Sequence, residues 1–224
     1  AIGLSPFLYN IAHCFVVIII NNQLKNYGGD LAIASYGVIN RIVFVFAMII
    51  MGLNQGMQPI TGYNYGAKQY DRMLRSFYLT CLYATGVMAI IFILGECFPR
   101  HITQIFTNDM NLIEQTITPM RIICSTMLII GFQMVAGNFF TSIGMAGKSI
   151  FLSMTRQVLF LIPLLLFVPL LFENPVLGVW WAIPISDTMA AITAAIMLGI
   201  SIKHFRGLIN EQEAWKVTYP PEPD

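Results

Sequence analysis

The chain has 224 residues, of which 57% are hydrophobic and only 10% charged, with a mean hydropathy of +0.71. Soluble domains carry about 25% charged residues, so this composition excludes an ordinary water-soluble enzyme and indicates an integral membrane protein. The net charge of +1 comes from basic residues spread along the chain, without the clustering that nucleic-acid contact requires.

The opening AIGLSPF has no charged leader and no initiator Met, and reads as the start of a piece of a longer chain. No formal charge occurs before Lys25, which predicts a first span over residues 6–24 ended by the turn Tyr27-Gly28-Gly29-Asp30. A second span is expected over residues 31–51. It continues to residue 66 through a stretch, Gly52 to Gly66, whose five glycines and prolines are interleaved with Asn54, Gln55, Gln58 and Asn64. Interrupted, polar backbone at membrane depth is tolerated only beside protein or a water-filled cavity, so this stretch is expected to be a broken helix end at a solute path. The same glycines also suit close helix packing, as small-xxx-small pairs.

Further spans are expected over residues 73–95, 120–143, 150–172 and 177–202. Residues 101–119 read as a polar outer connection turning at Asn108-Asp109. Pro163 and Pro169 should kink the fifth span. Residues 207–224 read as a loosely ordered cytoplasmic tail, leaving residues 1–206 as a lobe of six transmembrane helices. Lys68, Arg72, Arg75, Lys148, Lys203 and Arg206 collect on one side, whereas Lys25, Arg100 and Arg121 on the other are mixed with acids. The positive-inside rule then places both ends of the segment in the cytoplasm.

GMAGKS at Gly144 to Ser149 lacks the first glycine of a phosphate-binding loop and the strand before it, and reads as a tight turn. Cys14, Cys81, Cys97 and Cys124 have no paired or metal-ligand spacing and should pack as small apolar residues. No paired catalytic carboxylates or nucleophile-base spacing is found, so the chain is not expected to be an enzyme or to hold a cofactor.

Asp187 is the carboxylate that falls well inside lipid, where an acid is costly and usually serves ion or proton movement. The structural alternative is a pair with Arg156 or Arg41 that only joins helices. His13, mid-span in the first helix, can change charge near neutral pH, though a lone histidine is more often a packed, hydrogen-bonded residue. Asn40, Arg41, Gln55, Gln133 and Asn138 are candidate cavity lining, or else interhelical hydrogen bonds. Phe44 and Met48 beside them offer the aromatic and thioether surface that suits ligands of varied shape and positive charge.

Several stretches together resemble the MATE family of multidrug and toxic compound extrusion transporters. They are GLSPF (Gly3–Phe7), NNQLKNYGGDLAI (Asn21–Ile33), NRI (Asn40–Ile42), GLNQGMQPITGYNYGA (Gly52–Ala67), GFQM (Gly131–Met134), GMAGKS, TRQVLFLIP (Thr155–Pro163) and GVWWAIPISD (Gly178–Asp187). The resemblance implies an all-α membrane protein, a six-helix bundle matching helices seven to twelve of a twelve-helix, two-lobe transporter in the bacterial inner membrane. It implies a partner in an N-terminal lobe, small organic and often cationic substrates, and multidrug efflux coupled to an inward sodium ion or proton by alternating access. Transporters of the NorM type carry acids in this lobe at places that align here with His13 or Cys14 and with Ile130, so that site is expected to be absent. Two alternatives stand beside this reading: a lipid-linked saccharide flippase of the same superfamily, with a cavity richer in Arg and Lys, and a non-transporting assembly subunit.

Overall fold

The computed structural model describes residues 4–218, with side chains described for residues 7–212. The described chain is helical almost throughout. Its first helical run, Leu4–Gly66, would be about 95 Å long if straight, three times a bilayer core. It is not one span, because Gly29 lies at φ 69°, ψ −166°, a region open essentially to glycine alone, and splits it into α1 (residues 4–28) and α2 (residues 30–66).

Then follow α3 (Tyr70–Cys97), the short α4 (Pro99–Phe106), α5 (Met110–Cys124), α6 (Met127–Ser142), α7 (Ala146–Leu171) and α8 (Pro175–Thr218). Helices α5 and α6 meet at 51° and form one bent pass. The break falls where Ser125 donates to the Ile122 carbonyl at 2.7 Å and Thr126 to that of Ile123, the local side-chain bonding by which Ser and Thr compete with the helix ladder. With α1, α2, α3, α7 and α8 this makes six membrane-length passes among the described residues.

Three expectations are corrected. The stretch Gly52–Gly66 is not broken: it is helical to Gly66, with Pro59 inside. The weak helix propensity of glycine is overridden by packing at Gly62, where a Cβ would stand 3.0 Å from the Ser142 carbonyl of α6, while Gly52, Gly56 and Gly66 have open space around them. The fourth pass begins at Met110, ten residues before the expected start, with Asp109 capping it by accepting from the Asn111 amide at 3.0 Å. Residues 207–218 are helical, not a loose tail, and residues 219–224 lie outside the described part. In α7 the perturbation takes the form of a π-helical segment, Thr155–Leu161. It ends just before Pro163, whose missing N–H and ring clash would disrupt a regular ladder.

The core runs through the bundle from Leu24, Ile39 and Ile50 to Met73, Phe77, Met88, Phe139, Phe140 and Trp180, all essentially inaccessible. Phe77 and Phe139 pack with ring centroids 4.9 Å apart, and Phe205 of α8 meets Phe139 edge-on. A Cβ at Gly178 would lie 2.6 Å from the Pro169 Cα, so its absence is what lets α7 and α8 cross closely. Three basic residues are tied into one end of the bundle: Gln212 donates to the Lys68 carbonyl, Arg206 to the Tyr78 hydroxyl, and Lys148 to Ser201 across α7 and α8.

Candidate functional site

A cleft of about 430 Å³ opens between α1, α2, α6 and α7. Helical spacing explains its α2 wall: Met51, Asn54, Gln55 and Gln58 fall at i, i+3, i+4 and i+7 on one face. The α6 wall repeats the pattern with Met134, Gly137, Asn138 and Thr141, and Gln133 lies beside them. Gln58 donates to Asn138 at 3.1 Å between the two walls, and Thr141 shares a 2.6 Å hydrogen bond with Ser149 of α7. The buried Asn54 Oδ1 and Gln133 Oε1 have no protein hydrogen-bond partner. Unpartnered acceptors are costly, and both residues belong to the cleft lining.

At the edge of the cleft the Arg156 Nε donates to the Asp187 Oδ1 at 2.7 Å. The pair is unequal in exposure: 21% of the Arg156 side chain is accessible, against 2% for Asp187. Arg156 lines the cleft and Asp187 lies behind it. Arg156 lies within the π-helical segment, and Ser186 donates to its carbonyl at 3.1 Å, joining α7 to α8 beside the pair. Gln157, next in α7, reaches within 3.5 Å of the His13 Nδ1, while the His13 ring stacks on Tyr9 of the cleft.

The structure therefore divides the candidates. Gln55, Gln133 and Asn138 line the cleft. Asn40, Arg41, Phe44 and Met48 do not; they are exposed on the α2 face that leads into it. Asp187 is packed against arginine, not open to the cleft, and His13 is half-buried one layer away. Gln58, Thr141, Ser149 and Arg156 are among the other lining residues; for Gln58 the sequence signal was its position one helical turn beyond Asn54 and Gln55. Among the described residues no group of three or more His, Cys, Asp or Glu is placed to hold a metal ion.

The MatE family model matches residues 2–167, about three-quarters of the chain. The chain belongs to the MATE family. Members of this family are transporters, not enzymes. The multidrug export protein MepA of Staphylococcus aureus (strain MSSA476) is 27% identical over 198 residues, covering 88% of this chain and 43% of MepA. MepA of Staphylococcus saprophyticus is 24% identical over 197 residues. Among solved structures, the MATE multidrug transporter DinF-BH superposes with a TM-score of 0.76 at 38% identity, covering 88% of this chain and 44% of that one. An outward-facing MATE transporter of the MOP superfamily shares the fold at 19% identity, with a TM-score of 0.83. The chain spans less than half the length of these relatives.

Proposed function

We propose that this MATE chain is the C-terminal lobe of a multidrug exporter, joined along α1 and α2 to a partner lobe of six further helices. The observation that carries the reading is the exposed face of α2. Asn40, Arg41, Phe44, Met48, Met51 and Gln55 recur at helical spacing, all exposed, from mid-helix to the cleft. An arginine and two amides at membrane depth are too costly to face lipid. They fit a seam where a second lobe and water meet this one, with the cleft opening onto it.

The cleft suits flat organic solutes through Met51, Met134 and Tyr9, and its unpartnered amide oxygens on Asn54 and Gln133 suit ligands that donate hydrogen bonds or carry positive charge. Efflux is driven by an inward sodium ion or proton with alternating access between the lobes. In this lobe Asp187 and His13 are the residues proposed to sense the ion, and for Asp187 that requires release from Arg156. The protein resides in the bacterial inner membrane, with the end bearing Lys68, Arg72, Arg75, Lys203 and Arg206 in the cytoplasm.

Reconstitution of the full-length gene product into proteoliposomes tests this. A sodium or proton gradient should drive countertransport of a fluorescent cationic dye, and Gln133→Leu with Asn138→Leu should weaken it. A dye flux indifferent to either gradient would remove the antiport mechanism. Absence of any flux in folded, correctly inserted protein would favour the assembly-subunit reading.

A further inference from the structure

A second groove, of about 550 Å³, lies between α3 and α8 at the basic end, away from the cleft. Its α3 side presents Arg75, Tyr78, Leu79 and Leu82, at i, i+3, i+4 and i+7, so they form one stripe along the helix. The α8 side brings Arg206 and Ile209 opposite. We propose that this groove binds an anionic phospholipid of the leaflet at the basic end, its phosphate held by Arg75 and Arg206 and an acyl chain lying on Leu79 and Leu82.

Depth separates the two halves of the site. Helix α3 begins at Tyr70 beside the basic turn, and Leu82 lies about 10 Å deeper than Arg75 along the axis. The arginines thus stand at headgroup level and the leucines at acyl level, with Leu79 46% and Leu82 68% exposed. Arginine meets phosphate with a fork of donors that lysine lacks. Among the described residues neither Arg75 nor Arg206 forms an ion pair, and the hydrogen bond Arg206 makes is a long one, 3.4 Å to the Tyr78 hydroxyl. Asp71 also lines the groove. Two cations against one carboxylate leave a net charge of +1, complementary to a monoanionic headgroup and not to a neutral zwitterion. A soluble phosphate compound would use the arginines but leave the leucine wall without a ligand, whereas a phospholipid engages both. Basic pockets between membrane helices are the setting in which anionic lipid headgroups are held.

Native mass spectrometry of the full-length protein, released from nanodiscs of equimolar phosphatidylglycerol and phosphatidylethanolamine with identical chains, provides the test. Phosphatidylglycerol should be the retained lipid. Arg75→Gln and Arg206→Gln should each lower its retention about fivefold, and the double variant about 25-fold. Lys203→Gln, at the same end but outside the groove, should leave it unchanged. Leu82→Trp, which fills the acyl half without altering charge, should also displace the lipid, so the result does not depend on the stability of the arginine variants. Equal retention of the two lipids, displacement by millimolar glycerol phosphate, or a lipid-free dimer sealed at this face would overturn the assignment. None of these outcomes bears on whether the cleft exports drugs.

Discussion

Gln58 of α2 and Asn138 of α6, 80 residues apart in sequence, meet through a 3.1 Å hydrogen bond that joins two walls of the cleft. Interhelical bonds of this kind contribute on average ~0.6 kcal/mol in membranes. Removing either side chain should therefore barely change stability. Both amides line the cleft, however, and lose polar capacity toward a ligand when replaced. Gln58→Leu and Asn138→Leu should each shift thermal unfolding only slightly while weakening dye binding about tenfold, ~1.4 kcal/mol. A large loss of thermal stability with unchanged dye affinity would make the bond structural only.

The Arg156–Asp187 pair carries the opposite expectation. Removing one partner of a buried ion pair costs about 3–5 kcal/mol, because the remaining charge is left without compensation, whereas removing both is often nearly neutral. Asp187→Asn and Arg156→Gln should each destabilise the protein, and the double variant less than the sum, as a double-mutant cycle of thermal unfolding would read. The stable double variant should still bind dye but fail to export it under an ion gradient. Export at the wild-type rate would make the pair a tie between α7 and α8 and nothing more.

How much of this was legible in the sequence depends on what each residue needs to declare itself. Hydrophobic runs and the Gly28-Gly29 turn reveal an all-helical membrane chain divided at Gly29, because burial in lipid and a positive φ are local demands, but they put the start of the fourth pass ten residues late. The pairing of Asp187 was open between Arg41 and Arg156, since rotation of each helix about its axis is set by packing and not by its own residues. The glycines from Gly52 to Gly66 suggested breakage because propensity is local, yet the contact of Gly62 with Ser142 of α6 is not. The helical tail was concealed by the three prolines from Pro220 onward; the half-buried Leu208 and Ile209, which pack against the core, are the signal that extends α8. The α3–α8 groove needs two distant arginines brought together, which no single stretch announces.

Gly29 separates backbone strain from crowding. A Cβ there would meet nothing within 4 Å, but its φ of 69° with ψ −166° belongs to glycine. At Gly28 the backbone is ordinary, but a Cβ would lie 2.6 Å from that of Ala32. Gly29→Val should cost about 1–3 kcal/mol through strain alone. Gly28→Val should destabilise by a different route, overpacking the α1–α2 turn against Val176. Thermal unfolding of both variants, with Ala32→Gly added, tells the routes apart. Relieving the crowding should rescue Gly28→Val and not Gly29→Val.

The exposed face of α2 makes the last prediction, since it separates a seam from a lipid surface. Gln55 lines the cleft and Phe44 lies on the same helical face nearer mid-membrane. Leu166 of α7 and Ile200 of α8 are comparably exposed, with the exposed and apolar Leu170 and Ile196 respectively one turn away. A membrane-impermeant thiol reagent requires water to form the reactive thiolate. In a full-length protein lacking Cys14, Cys81, Cys97 and Cys124, Gln55→Cys and Phe44→Cys should therefore be labelled, and Leu166→Cys and Ile200→Cys should not. Bound dye should protect Gln55→Cys first, because that position forms the cleft wall. If all four positions are equally unreactive, α2 faces lipid or sealed protein, the cost of Arg41 must be met by a fixed contact, and the seam on which the export proposal stands is lost.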